Sequence, residues 1–254
     1  FMLENELLDC LSRKGKASGG YMTYIPDYKS PFIFANFNGT SGDIDVLTHE
    51  AGHALNGYLA KDIEISEYRT ATMETCEVHS MSMEFFTMPW MKMFFKDRVE
   101  EYKYMHLASA LSFIPYGCAV DEFQHEVYMR PNMTPDERKA VWRKIESEYQ
   151  PDLDYEDDPF FGNGGRWQAQ THIYSSPFYY IDYCLAQTCA LQFRNLMSED
   201  YKAAWEKYLS FSKKAGTMTF TELLKTSGLR SPMEEGCVRD VCKGSEEAIE
   251  QIKI

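Results

Sequence analysis

Residues 49–53 read His49-Glu50-Ala51-Gly52-His53, an instance of H-E-x-x-H. On a helix, positions i and i+4 share a face, so both imidazoles can grip one metal ion. Glu50 points towards the same cleft, where a carboxylate can take a proton from an activated water. The chain has only 6 histidines, which makes a chance match on a core helix the weaker explanation. Catalytic zinc takes three protein ligands and keeps one position open. The following helical segment offers Glu74, Glu77 and Glu84. Glu77 and Glu84 are seven apart and share a face, and any of the three can meet the metal if the two helices pack together. Glu77 is the leading candidate. Glu84 then suits an outer role, holding a histidine ring by its other N–H. Met73, Cys76, Met81, Met83, Phe85 and Phe86 make the neighbourhood apolar, and a carboxylate buried there wants a cation.

The elements that must position these groups can be read from the pattern. Val46, Leu47, Ala54, Leu55, Tyr58 and Leu59 repeat at helical spacing, predicting a metal helix over about 44–60, with Asp43 or Asp45 as its cap. A turn at Gly39-Thr40-Ser41-Gly42 precedes it. Residues 20–38 carry strand signals, YMTYI and PFIFANF around a turn at Pro26-Asp27. The second run could pair with an extended peptide by strand addition. Residues 3–13 read as a helix end, broken by Gly15, Gly19 and Gly20. Beyond the metal helix the pattern is helical over 70–95, 97–128 (interrupted at Pro115), 134–149, 177–197, 199–214, 219–226, 231–242 and 245–253. The loop at 150–166 is acidic first and glycine-rich afterwards. With no repeat and no linker, residues 1–254 are expected to form a single, mainly α domain with a small β-sheet before the metal helix.

The bulk numbers narrow the function. The 254 residues, 44% hydrophobic, can build a substantial core. A net charge of −13 without a basic run disfavours nucleic acid and anionic membranes as partners. Seven cysteines, an odd number set mostly in apolar helical patterns, fit a reduced cytoplasmic protein. The most apolar stretch, FFTMPWMKMFF, is too short to span a bilayer.

HEAGHALNG followed by TMETCEVHSMSMEFF resembles the oligoendopeptidase F branch of the thimet-oligopeptidase-like zinc metallopeptidases. YIPDYKSPFIFANFNGTSGDIDVLTHEAGHA and RWQAQTHIYSSPFYYIDYCLAQ fit the same family, in order and over nearly the whole chain. The resemblance implies a zincin-like multi-helical catalytic domain and a cytoplasmic endopeptidase that hydrolyses short oligopeptides. It implies one Zn²⁺ per chain on His49, His53 and Glu77, with Glu50 activating the water. It further implies that a later histidine and tyrosines contact the scissile carbonyl. The matching segment holds His172, Tyr174, Tyr179, Tyr180 and Tyr183. Of these His172, Tyr179 and Tyr183 are favoured, the last two sharing a helix face at i, i+4. Family members carry a long helical N-terminal region that closes a channel over the zinc. This chain resembles the catalytic half, so an N-terminal helical domain or a homodimer partner is expected.

Two rivals follow from the same residues. Glu50-x-x-His53 and Glu122-x-x-His125, with Glu77 and Glu6, could build the di-iron site of a four-helix bundle. Alternatively the chain is a non-catalytic remnant or partner subunit that binds peptides without turnover. The Met and aromatic residues at 81–95 are read as core, His79 as packing or surface, His106 as an isolated helix residue, and Trp142, Trp167 and Trp205 as anchors of helix contacts.

Overall fold

The computed structural model describes residues 1–214 and 216–253. Three strands come first: β1 (Leu8–Leu11), β2 (Tyr21–Ile25) and β3 (Ser30–Phe37). The helices follow as α1 (Gly42–Leu59), α2 (Met73–Phe86), α3 (Lys92–Phe95), α4 (Val99–Met129), α5 (Pro135–Tyr149), α6 (His172–Ser175), α7 (Tyr180–Glu199), α8 (Tyr201–Lys214), α9 (Phe220–Ser227) and α10 (Cys237–Ile249). The mainly α architecture with a small sheet ahead of the metal helix is as expected. The chain forms two compact units, Phe1–Leu107 with Ala186–Ile254, and Ala108–Leu185.

In the first unit the sheet has the order β1-β3-β2. β2 and β3 run antiparallel, with Tyr21 opposite Phe34 and Ile25 opposite Ser30. Their aromatic and β-branched residues favour this pleated pairing, and the rings of Tyr21 and Phe34 stack at 4.9 Å. PFIFANF is therefore the central strand. At Ile33 and Phe34 its backbone is paired on both sides, which leaves no free edge there for strand addition.

The helix expected over 3–13 is instead β1, parallel to β3 with Leu8 opposite Ile33. A non-local group decides this. The Lys16 ammonium, 2% exposed, donates to the carbonyls of Asp9 (2.8 Å), Leu11 (3.0 Å) and Ala35 (2.5 Å) and pairs with Asp9 Oδ1 at 3.1 Å. A buried ammonium is tolerable only when its donors are met in this way. Meeting them ties the end of β1 to β3.

α1 lies on β3 and along α2. Gly52 sets how close α1 and α2 come. A methyl group at that position would stand 2.5 Å from the His79 carbonyl oxygen and 2.6 Å from the Ser80 Cα. Only a residue without Cβ lets the two backbones touch there. Ser80, buried and small, keeps the α2 side of the contact thin. Neither Asp43 nor Asp45 caps the helix as expected. Asp43 accepts the N–H groups of Asn38 (2.9 Å) and Gly39 (2.7 Å), closing the turn before α1. Asp45 accepts the Tyr102 hydroxyl at 2.6 Å.

α8 closes the other side. Tyr208, fully buried, donates to the His79 carbonyl at 2.8 Å, and Asn56 Nδ2 donates to the Ser212 carbonyl at 3.0 Å. Phe86, Phe193, Trp205, Tyr208 and Phe211 interlock as an aromatic core, with Phe86 and Trp205 centred 5.1 Å apart. The expected helix over 70–95 ends at Phe86, because Pro89 falls in the tight turn Met88–Trp90 and brings no N–H to a continuing ladder. The break expected in the last helices is absent. Gly244 lies inside α10 against the Asn195 side chain, so it serves a close approach rather than a stop.

In the second unit α4 runs on through Pro115. Phe123, Trp142, Ile145, Trp167 and Tyr180 form the core, and Trp142 meets Phe123 edge-on at 5.5 Å. The fully buried carboxylate of Glu146 accepts from Tyr155 Oη (2.6 Å), Arg143 (3.3 Å) and Arg166 (3.3 Å), which ties the loop at 150–166 to α5. Cys10, Cys76, Cys118, Cys189, Cys237 and Cys242 are free thiols. Among the described residues no helix is long and apolar enough to cross a membrane.

Candidate metal centre

α1 presents His49 and His53 one turn apart, and α2 brings Glu77 to meet them. His49 Nε2 lies 3.2 Å, and His53 Nε2 3.6 Å, from Glu77 Oε2. One donor atom from each of the three lies within 4.8 Å of the others. Two ligands on a tetrahedral zinc at about 2.1 Å stand roughly 3.4 Å apart. The donor set and its spacing therefore fit a zinc ion. Among the described residues this is the group with metal-ligand spacing.

The pairing within α1–α2 follows from the sequence. Glu77 and Ser80 are on the buried face of α2, and Ser80 Oγ donates to Glu77 Oε2 at 3.1 Å, fixing the carboxylate. Gly52 between the histidines allows the approach that brings Glu77 within reach.

Glu84 takes the outer role expected of it. Its Oε1 lies 2.7 Å from His49 Nδ1. A carboxylate there holds the Nδ1 proton, so that Nε2 is the nitrogen that faces Glu77. The other oxygen, Oε2, lies 2.8 Å from His106 Nε2. His106 is therefore not an isolated helix residue. Nothing in the sequence points to this, since the Glu84–His106 contact joins α2 to α4. His79 is packing: fully buried, with its ring edge-on to Phe211 at 5.6 Å.

Electrostatics separates the two histidines. Burial opposes a charge on His49, but Glu77 and Glu84 outweigh it and push its pKa up to about 10. His53 has less carboxylate support, and burial pulls it down to about 4. For Glu84, burial is outweighed by the hydrogen bonds of His106 and His49, and its pKa is lowered. Glu77 and Glu84 thus favour positive charge at His49. Glu50 is also buried, and this raises its pKa, opposed by the charge of His49 and a hydrogen bond from the Met22 backbone on β2. A carboxylate with a raised pKa is suited to accept a proton and return it.

His172, Tyr179 and Tyr183 belong to the second unit, where they form a cluster. The His172 ring is centred 6.1 Å from Tyr179, 5.2 Å from Tyr180 and 5.7 Å from Tyr183, and the Tyr179 and Tyr183 rings are 4.9 Å apart. Phe178, at φ 64, forms a left-handed turn ahead of α7, and its N–H donates to Gln124 Oε1 at 2.8 Å. Gln170, which the sequence did not single out, orients the histidine. Its Nε2 donates to His172 Nδ1 at 2.7 Å while its Oε1 accepts from Tyr116 Oη at 3.0 Å. The ring proton of His172 is then on Nε2.

The second E-x-x-H does not form part of a metal group. Glu122 accepts the Tyr149 hydroxyl at 2.8 Å, and His125 is exposed and pairs with Asp121 at 3.4 Å.

Known proteins share this fold. The solved structure of PZ peptidase A with inhibitor 2 superposes with a TM-score of 0.95 at 56% identity, covering 99% of this chain and 45% of that one. Oligopeptidase PepF of Bacillus subtilis (strain 168) is 21% identical over 257 residues, 99% of this chain and 38% of its own length. An oligoendopeptidase F homolog of Borreliella burgdorferi is 24% identical over 238 residues, 90% of this chain and 39% of its own. The chain thus spans about two fifths of the curated relatives it matches. Residues 1–241 match the model of peptidase family M3, and the chain belongs to that family.

Proposed function

We propose that this chain is the catalytic part of a zinc-dependent endopeptidase that hydrolyses short oligopeptides. The observation that carries the reading is the convergence of His49, His53 and Glu77, with a buried Glu50 on the same helix whose pKa burial raises. His49, His53 and Glu77 would hold one zinc ion. Bound there, zinc supplies a Lewis acid of the kind that brings the pKa of water down to about 7.

The chain's own residues then divide the work. A carboxylate oxygen of Glu50 takes the proton from the attacking water and passes it to the leaving amine nitrogen. Glu84 and His106 hold the His49 ring in the ligating tautomer. On the strength of the family resemblance, His172, Tyr179 and Tyr183 donate hydrogen bonds to the carbonyl oxygen as charge develops on it. A donor of this kind is typically worth about 10²–10³ in rate. The orientation of His172 by Gln170, with its proton on Nε2, suits that task. In this reading residues 1–254 act as one catalytic domain. The greater length of the relatives leaves room for an N-terminal helical region, or a second copy, to cover the cleft. Free thiols at Cys10, Cys76, Cys118, Cys189, Cys237 and Cys242 favour a cytoplasmic setting.

The test is cleavage of a quenched fluorescent oligopeptide by the zinc-loaded chain, its Glu50→Gln variant and the chelator-treated chain. Turnover by the first alone is expected. Peptide binding without turnover by all three would instead identify a non-catalytic peptide-binding chain.

A further inference from the structure

We propose that the small pocket beside His53, lined by Tyr24 and Arg69, receives a carboxylate of the bound peptide, carried on an acidic side chain or at its C-terminus. This rests on the peptidase reading above and specifies its substrate. The pocket has a volume of about 100 Å³, and Met22, Cys76 and Thr70 complete its lining. Its size admits one short side chain. Because His53 forms part of the wall, a group seated in the pocket belongs to a residue at or next to the scissile bond.

Two of the polar side chains that line the pocket, Arg69 and Tyr24, are donors. Arg69 directs Nε to the Ile63 carbonyl at 2.6 Å and Nη2 to the Glu64 carbonyl at 3.3 Å. Both partners are neutral backbone groups, so the guanidinium is held in place and its charge is left for a ligand. Tyr24 carries a buried hydroxyl that has no hydrogen-bond partner. An unmet buried donor is costly, and a ligand that accepts from it recovers that cost. The Asn56 amide nitrogen is committed to the Ser212 carbonyl. A positioned guanidinium and an unmet phenol in the lining of one pocket call for an anionic acceptor, and a carboxylate matches the fork of Arg. The net charge of −13 disfavours an anion only at long range. At physiological salt, screening acts over about 8 Å, and direct contacts decide the preference.

The test is peptide binding to the zinc-loaded Glu50→Gln chain, followed by fluorescence anisotropy. The probes are labelled hexapeptides in which a single Glu moves through the sequence, each matched to its Gln counterpart, with free and amidated C-termini. At one position, or at the free C-terminus, the acid should bind about tenfold tighter than its neutral counterpart, as a charge-assisted hydrogen bond provides. The position separates a side-chain carboxylate from a terminal one. Arg69→Gln should bring that ratio near one, Arg69→Lys should keep several-fold of it, and Tyr24→Phe should reduce it by a smaller factor. The absence of any acid preference would overturn the proposal. So would a preference that survives Arg69→Gln, or Arg69→Lys behaving like Arg69→Gln. The peptidase reading is tested separately by cleavage of the same peptides with Glu50 present. An Arg69-dependent preference without cleavage would keep the pocket and remove the peptidase, and cleavage without the preference would do the reverse.

Discussion

His49 Nδ1 stands 2.7 Å from Glu84 Oε1, so one imidazole of the metal centre is held from behind by a carboxylate. The same carboxylate is anchored by His106. The chain His106–Glu84–His49 connects α4, α2 and α1 and decides which nitrogen of His49 faces Glu77.

Removing that support should loosen the metal without removing a ligand. Glu84→Ala is expected to weaken zinc affinity about 10–100-fold, the usual effect of losing such a partner. His106→Phe acts one bond further out and should cost less. Competition with a chromogenic chelator measures both. Wild-type affinity in Glu84→Ala would dismiss the orienting role.

Gly52 is a packing requirement inside the metal motif. In Gly52→Ala the new methyl meets the His79 carbonyl and the Ser80 Cα, both backbone atoms that cannot swing aside. The helices must separate, at a cost of about 1–3 kcal/mol in stability. Since Glu77 sits on the helix that moves, zinc affinity should fall too. Urea unfolding with and without zinc tests this, and an unchanged midpoint would contradict the close packing.

Asp9 gives a pH dependence whose sign is fixed by its partners. Hydrogen bonds from Arg13 and then Lys16 hold its carboxyl well below the ordinary aspartate value. A depressed pKa means that the contribution is fully present above the unfolded value of about 4 and is lost as the pH falls through the folded value. Wild type should therefore be more stable than Asp9→Asn at pH 7. The gap should persist to about pH 5 and close as the pH falls below about 4. A gap independent of pH in urea unfolding would mean that the charge of Asp9 does not hold β1.

Much of the candidate metal centre could be read from the sequence because it is local. The spacing of His49 and His53 is one helical turn, and Glu77 lies on the next helix among apolar neighbours that leave few other uses for a carboxylate. Glu84 followed from the same helix face. What escaped depends on contacts between distant segments. β1 looked helical because its own residues allow it, and only Lys16 and the parallel partner β3 make it a strand. His106 is anonymous until α4 is placed against α2. Gln170 becomes meaningful only when His172 and Tyr116 flank it. Pro115 suggested a break, yet α4 continues through it, with Ala119, Val120 and Phe123 just beyond buried in the core. Gly52 was visible only as the second variable residue of the motif, whereas in three dimensions it is what allows the third ligand to arrive.

The most direct test of the account is zinc content per chain by elemental analysis after exhaustive dialysis, for the wild type and for Glu77→Ala. One zinc per wild-type chain, falling to a small fraction in the variant, is the predicted result. Full zinc retention in Glu77→Ala, or a zinc-reconstituted wild type that holds none, would contradict it.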